Sequence, residues 1–97
     1  MSFAEVLAAD TRLLILRSLC EDQGYSANES ILQEMLALFG RNLSRDRLRT
    51  ELRWLEEQGL VEVSEVTGVM VAKINGRGCD VAAGVARVDG VKRPRPR

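Results

Sequence analysis

Only Arg41, Asn42 and Leu43 separate Gly40 from Ser44, and that short stretch must end one helix and begin another. Gly40 suits the left-handed residue that closes a helix. Ser44 is of the type that starts one, because its hydroxyl can accept from an orphan backbone amide. Leu43 before this cap and Leu48 after it are placed for a hydrophobic staple. Two helices joined by so short a glycine-containing turn share a core and form a helix-turn-helix.

The flanking sequence supplies the remaining elements. Ser2 and Glu5 form a capping box ahead of a helix over 3–20, with Asp10 and Thr11 marking a candidate break. The apolar residues of 3–20 wrap most of the way round, so this helix must be covered on more than one side. A partner subunit is the expected cover. After the turn EDQGY, Ser26 and Glu29 read as a second capping box for a helix over 27–39, with Ile31, Leu32, Met35, Leu36, Leu38 and Phe39 facing inward. The third helix, 44–58, stops at Gly59. Beyond it the apolar period changes from helical to alternating, predicting strands at 60–66 and 69–75 around a Thr67-Gly68 turn. Asn75 then caps a short helix over 76–86. The fold expected is mainly α with a small antiparallel β-hairpin, α-α-α-β-β-α, a winged helix-turn-helix over 1–87. Residues 88–97 read as a disordered tail rich in proline and arginine.

Composition excludes several function classes. The 97 residues contain no histidine, which removes Ser-His and Cys-His nucleophiles and most zinc sites. No glycine-rich phosphate loop is present, so neither an enzyme nor a cofactor is expected. Cys20 and Cys79 are far apart in sequence and lie in apolar surroundings, where reduced, buried thiols are expected. No run approaches the roughly 18 to 20 apolar residues of a membrane span, and the cytoplasm is the expected location. Net charge is zero, but residues 87–97 carry five basic side chains against Asp89, a local +4 over a slightly acidic body.

Three segments resemble known regulators. "ADTRLLILRSL" is similar to the first-helix pattern of ArsR-type repressors. "LSRDRLRTELRWLEEQGLVEV" resembles the recognition-helix-to-wing segment of ArsR and MarR regulators, and "INGRGCDVAAG" resembles the opening of their last helix. The layout, including "GVKRP" near the end, also looks like small winged-helix proteins of Mu-like bacteriophages. The resemblance implies a DNA-binding regulator. The sequence departs from it in lacking a Cys/His ligand cluster for metal sensing, and its wing tip, SEVTGVM, has no basic residue.

Within the third helix, Leu48, Leu52 and Leu55 mark the core side, and Arg45, Arg49 and Arg53 recur at i, i+4, i+8 on a solvent stripe. Five arginines against Asp46 and Glu51 give segment 41–53 a charge of +3. Arginine on guanine is the commonest specific base contact in a major groove. The residues expected to contact double-stranded DNA are Arg41, Asn42, Ser44, Arg45, Asp46, Arg49, Thr50 and Arg53, with Lys92, Arg93, Arg95 and Arg97 of the tail on phosphates. A homodimer through helix 3–20 and segment 76–86 completes this reading. The alternative is a protein-interaction or assembly module, with a phage protein as partner, favoured by the acidic wing and neutral net charge. A solvated, salt-bridged face accounts for the same arginine stripe without any ligand.

Overall fold

Each helix begins on a side chain that accepts from its first free amides. The computed structural model describes residues 2–95. In it Ser2 Oγ accepts from the Glu5 amide at 3.1 Å, Asn28 Oδ1 from Ile31 at 2.9 Å, Ser44 Oγ from Arg47 at 3.0 Å and Asn75 Oδ1 from Gly78 at 2.8 Å. The elements are α1 (Phe3–Glu21), β1 (Ser26–Asn28), α2 (Glu29–Leu38), α3 (Arg45–Glu57), β2 (Val61–Val66), β3 (Val69–Ile74) and α4 (Gly76–Ala83). This is the winged helix-turn-helix order, with one strand added. The expected helix over 76–86 is shorter because Gly84 takes a left-handed conformation and caps α4.

β2 and β3 pair antiparallel from Val61–Ile74 to Val66–Val69. Thr67 and Gly68 both have positive φ, 52° and 80°, the conformation that matches a two-residue turn to the twist of its strands. β1 occupies the other edge of β3, so the sheet order is β1-β3-β2. This corrects the expected start of the second helix. Ser26 lies opposite Lys73 in the sheet instead of capping, and Asn28 caps α2. Glu29 does not reach back to a cap; its carboxylate is buried under α3.

The core gathers Leu13, Leu16 and Leu19 of α1, Leu32 and Leu36 of α2, Leu48, Leu52 and Leu55 of α3, and Met70, Ala72 and Ile74 of β3. Of the residues expected to face inward from the second helix, Ile31, Leu38 and Phe39 are instead exposed, because the buried face is set by Glu29, Leu32 and Leu36. α1 is continuous through Asp10 and Thr11; Thr11 is buried, and Asp10 accepts from Arg41 instead of capping a new turn.

The second cover of α1 comes from the chain itself. α4 packs along it, and the segment after α4 folds back as a strap. Val88 and Val91 enter the core, and the Lys92 amide donates to Ala9 O at 3.1 Å. Arg12 stacks 3.9 Å above the Trp54 ring and donates to Gly90 O at 3.0 Å. Gly90 has φ +97°, and a Cβ there would fall 2.7 Å from Trp54 Cζ2, so the crossing requires glycine. The expectation of a disordered tail from residue 88 is therefore corrected over 88–92: two valines at the spacing of a single turn gave no periodicity to read. The expectation that α1 and 76–86 build a two-fold interface is met only in part by this internal packing, since α4 covers one side of α1 while Phe3, Val6 and Val85 stay exposed. Cys20 and Cys79 are also corrected. α1 and α4 bring their Cα atoms to 5.6 Å and the two form a disulfide, so neither is a free thiol. No helix among the described residues is long and apolar enough to cross a membrane.

Candidate nucleic-acid interface

α3 presents its outer face beside the wing. Leu48, Leu52 and Leu55 hold the opposite side in the core, so Asp46, Thr50 and Arg53 are left in solvent, with Arg49 half-buried. Ser44, Asp46, Arg49, Thr50 and Arg53 line one open depression, floored in part by Met70 of β3. The structure thus brings these five expected residues together. It places the others elsewhere. Arg41 is drawn to Asp10 of α1, with Nη2 at 2.7 Å from Oδ2, and Lys92 Nζ lies 3.3 Å from the same carboxylate. Asn42 is exposed in the turn. Arg45 turns from the outer face toward α2, where it donates to Gln33 Oε1 at 3.0 Å and Ser30 Oγ at 3.1 Å. Arg93 and Arg95 are exposed, and Arg97 lies outside the described residues.

The electrostatics of this face rest on a buried acid. Glu29 is fully buried and receives Arg49 through two hydrogen bonds, Nε to Oε1 at 2.6 Å and Nη2 to Oε2 at 2.8 Å. The Met70 amide donates to Oε2 at 2.6 Å, and Arg45 lies 3.8 Å away. Arg49 also donates to Gly68 O at the wing tip, 3.2 Å away. One carboxylate therefore ties α2, α3 and the wing together. The Arg49 hydrogen bonds outweigh burial and hold Glu29 at a pKa of about 2, below the ordinary 4.5. The same contact raises Arg49 further above its ordinary value.

The other arginines are also matched. Arg47 pairs with Glu51 at 3.1 Å, and the second oxygen of Glu51 accepts from Arg12 at 2.8 Å. Arg53 pairs with Glu56 at 3.1 Å and reaches within 3.7 Å of Glu65 on the wing. Every arginine from 41 to 53 thus has an acidic neighbour in its own chain. Sequence reasoning missed Asp10, Glu29 and Glu51 as the organisers of this face. Glu51 was legible, because it sits one turn beyond Leu48 on the apolar side of α3. Glu29 was hidden by its fit to a capping box.

No family model matches the chain. Its sequence is 54% identical over 93 residues to the uncharacterized protein gp26 of Escherichia phage Mu, an alignment covering 96% of both chains. It is also 51% identical over 78 residues to an uncharacterized protein of Haemophilus influenzae, covering 79% of this chain and 76% of that one. Among solved structures, H. salinarum RosR superposes with a TM-score of 0.62 and 23% identity over 82% of this chain and 80% of that one. A complex structure of hsRosR-S1 gives a TM-score of 0.60, again with 23% identity, over 81% and 78%. This second likeness is one of fold. The first extends over nearly the whole of both sequences, and the chain belongs to the family of the phage Mu gp26 protein.

Proposed function

We propose that this protein is a DNA-binding transcriptional regulator that presents the N-terminal half of α3 to the major groove of double-stranded DNA. The observation that carries this reading is the open outer face of α3, where Asp46, Thr50 and Arg53 stand exposed beside the half-buried Arg49. A groove that admits one helix would take this face end-on, with arginine, threonine and aspartate as base-edge partners. The resemblance of 43–63 to the ArsR and MarR recognition segment supports the same assignment. The tail contributes through Arg93 and Arg95, since Lys92 is engaged by Asp10.

The internal pairing of the arginines favours a second reading, a winged-helix module that docks on protein, a phage protein among the candidates. Paired arginines attract phosphate less, and a regulator built this way must exchange internal carboxylates for DNA oxygens. Salt dependence separates the two. Each phosphate neutralised contributes about −0.9 to the slope of log K against log salt. Binding of random and selected duplexes should be measured at several salt concentrations for wild type, Arg53→Ala and Thr50→Ala. Loss of a base contact is expected to weaken binding to the selected site by about 1–3 kcal/mol while melting stays at the wild-type value. Arg49→Ala is unsuited to this comparison because it also strips Glu29 of its main partner. Affinity that is weak, indifferent to sequence and unchanged in both variants would overturn the groove-reading assignment in favour of the protein-docking one.

A further inference from the structure

α2 carries two apolar faces. Leu32 and Leu36 lie in the core. Ile31, Met35, Leu38 and Phe39 follow the i, i+4, i+7, i+8 spacing of a second stripe, beside the first. Leu38 keeps 80% of its surface, Phe39 58% and Ile31 48%. Met35 and Phe39 also line a groove shared with Leu14, Arg17, Ser18 and Glu21 of α1. Scattered exposed leucines need no explanation, but a stripe of four large side chains along one helix, bordered by the polar edge of α1, marks an interaction surface. Over its described residues the C-terminal strap does not supply the cover: it contacts Ala9, Asp10, Arg12, Trp54 and Gly84, none of which lines the groove.

We propose that this α1–α2 face pairs with the same face of a second copy of the chain about a two-fold axis. The charges at its edge fit that occupant. Arg17 and Glu21 stand one turn apart on α1, both exposed, and among the described residues neither is in an ion pair. A two-fold contact is self-complementary, each patch meeting its own copy. Antiparallel α1 ridges therefore set Arg17 against the partner's Glu21 and repeat the pair by symmetry. A uniformly acidic or basic partner would leave one of the two residues facing its own sign. The Leu38 and Phe39 side chains meet across the axis and lose the apolar surface they now expose to water. The groove excludes Asp46, Thr50 and Arg53, so the association does not depend on how α3 is used.

Sedimentation equilibrium of the full chain without DNA, from low to high micromolar concentration, tests this. Wild type is expected to show a reversible monomer–dimer equilibrium. Leu38→Glu should weaken it about tenfold or more, because each dimer loses two buried leucines and gains two charges. Arg17→Glu should also weaken it, and Arg17→Glu with Glu21→Arg should restore the wild-type constant. Melting curves control for folding, which these exposed positions are not expected to disturb. A wild-type chain that stays monomeric at high micromolar concentration overturns the proposal. So does a dimer indifferent to Leu38→Glu, or a double charge reversal that fails to restore association.

Discussion

Glu29→Ala is expected to lower the melting temperature by about 8–16 °C, from a loss of ~2 kcal/mol at about 4–8 °C per kcal/mol for a chain of this size. The Met70 amide donates to this carboxylate inside the protein, and alanine offers it nothing. A buried donor left without a partner costs about 1–3 kcal/mol. Arg49 adds less, because its side chain is 38% exposed and regains water when the carboxylate is removed. Glu29→Gln should fall between wild type and alanine, since an amide oxygen can still accept from Met70 but no longer neutralises Arg49. Thermal unfolding of both variants checks the order. An alanine variant that melts with wild type would show that the wing is held on α3 by apolar contact alone.

The same carboxylate gives the stability a pH signature. Its folded pKa of about 2 lies below the ordinary 4.5, so the unfolded chain binds the proton more readily. Stability from this group is complete above the unfolded value and is lost as pH falls through the folded one. Wild-type melting should therefore decline between about pH 4.5 and pH 2. Glu29→Gln should flatten that decline, as its side chain does not titrate in the window.

What was legible in the sequence was what depends on local chemistry. Ser2, Ser44 and Asn75 start helices because a side-chain oxygen meets amides three residues on, and that spacing is written in the chain. Gly68 marks the hairpin for a similar reason, since it takes positive φ without steric cost, whereas Thr67 is held at positive φ by the paired strands around it. What was hidden depends on contacts between distant residues. β1 has three residues and takes its identity from β3, more than forty positions later. The Cys20–Cys79 bond spans 59 positions and follows from how α1 meets α4. At the candidate site the arginine stripe was visible, but its neutralisation was not. The i, i+4, i+8 spacing places arginines on one face, whereas Asp10, Glu29 and Glu65 reach them from three other elements. The sign of a surface is set by tertiary neighbours, and helix periodicity reports only one of the contributors.

Deleting residues 88–97 is expected to leave a chain that is largely unfolded or loosely packed near room temperature. As a free basic arm this segment would be dispensable for folding, but Val88 and Val91 retain only 7% and 9% of their surface. Burying a valine contributes about 1.5–3 kcal/mol, so the pair accounts for roughly 3–6 kcal/mol as an upper estimate. A domain of this length has about 5–15 kcal/mol in total. The deletion also exposes the Trp54 face that Gly90 covers and removes the carbonyl that accepts from Arg12. Arg93→Ala with Arg95→Ala is the matched control, because it removes charge and keeps the strap. That variant should melt as wild type, and if the tail touches phosphates its salt slope should become shallower by up to about 2 units. The pair of variants separates packing from charge: deletion alone, scored by DNA binding, would confuse an unfolded domain with a lost electrostatic contact. A truncated chain that still unfolds cooperatively at the wild-type temperature would return residues 88–97 to the status of a free arm and leave α1 in need of another cover.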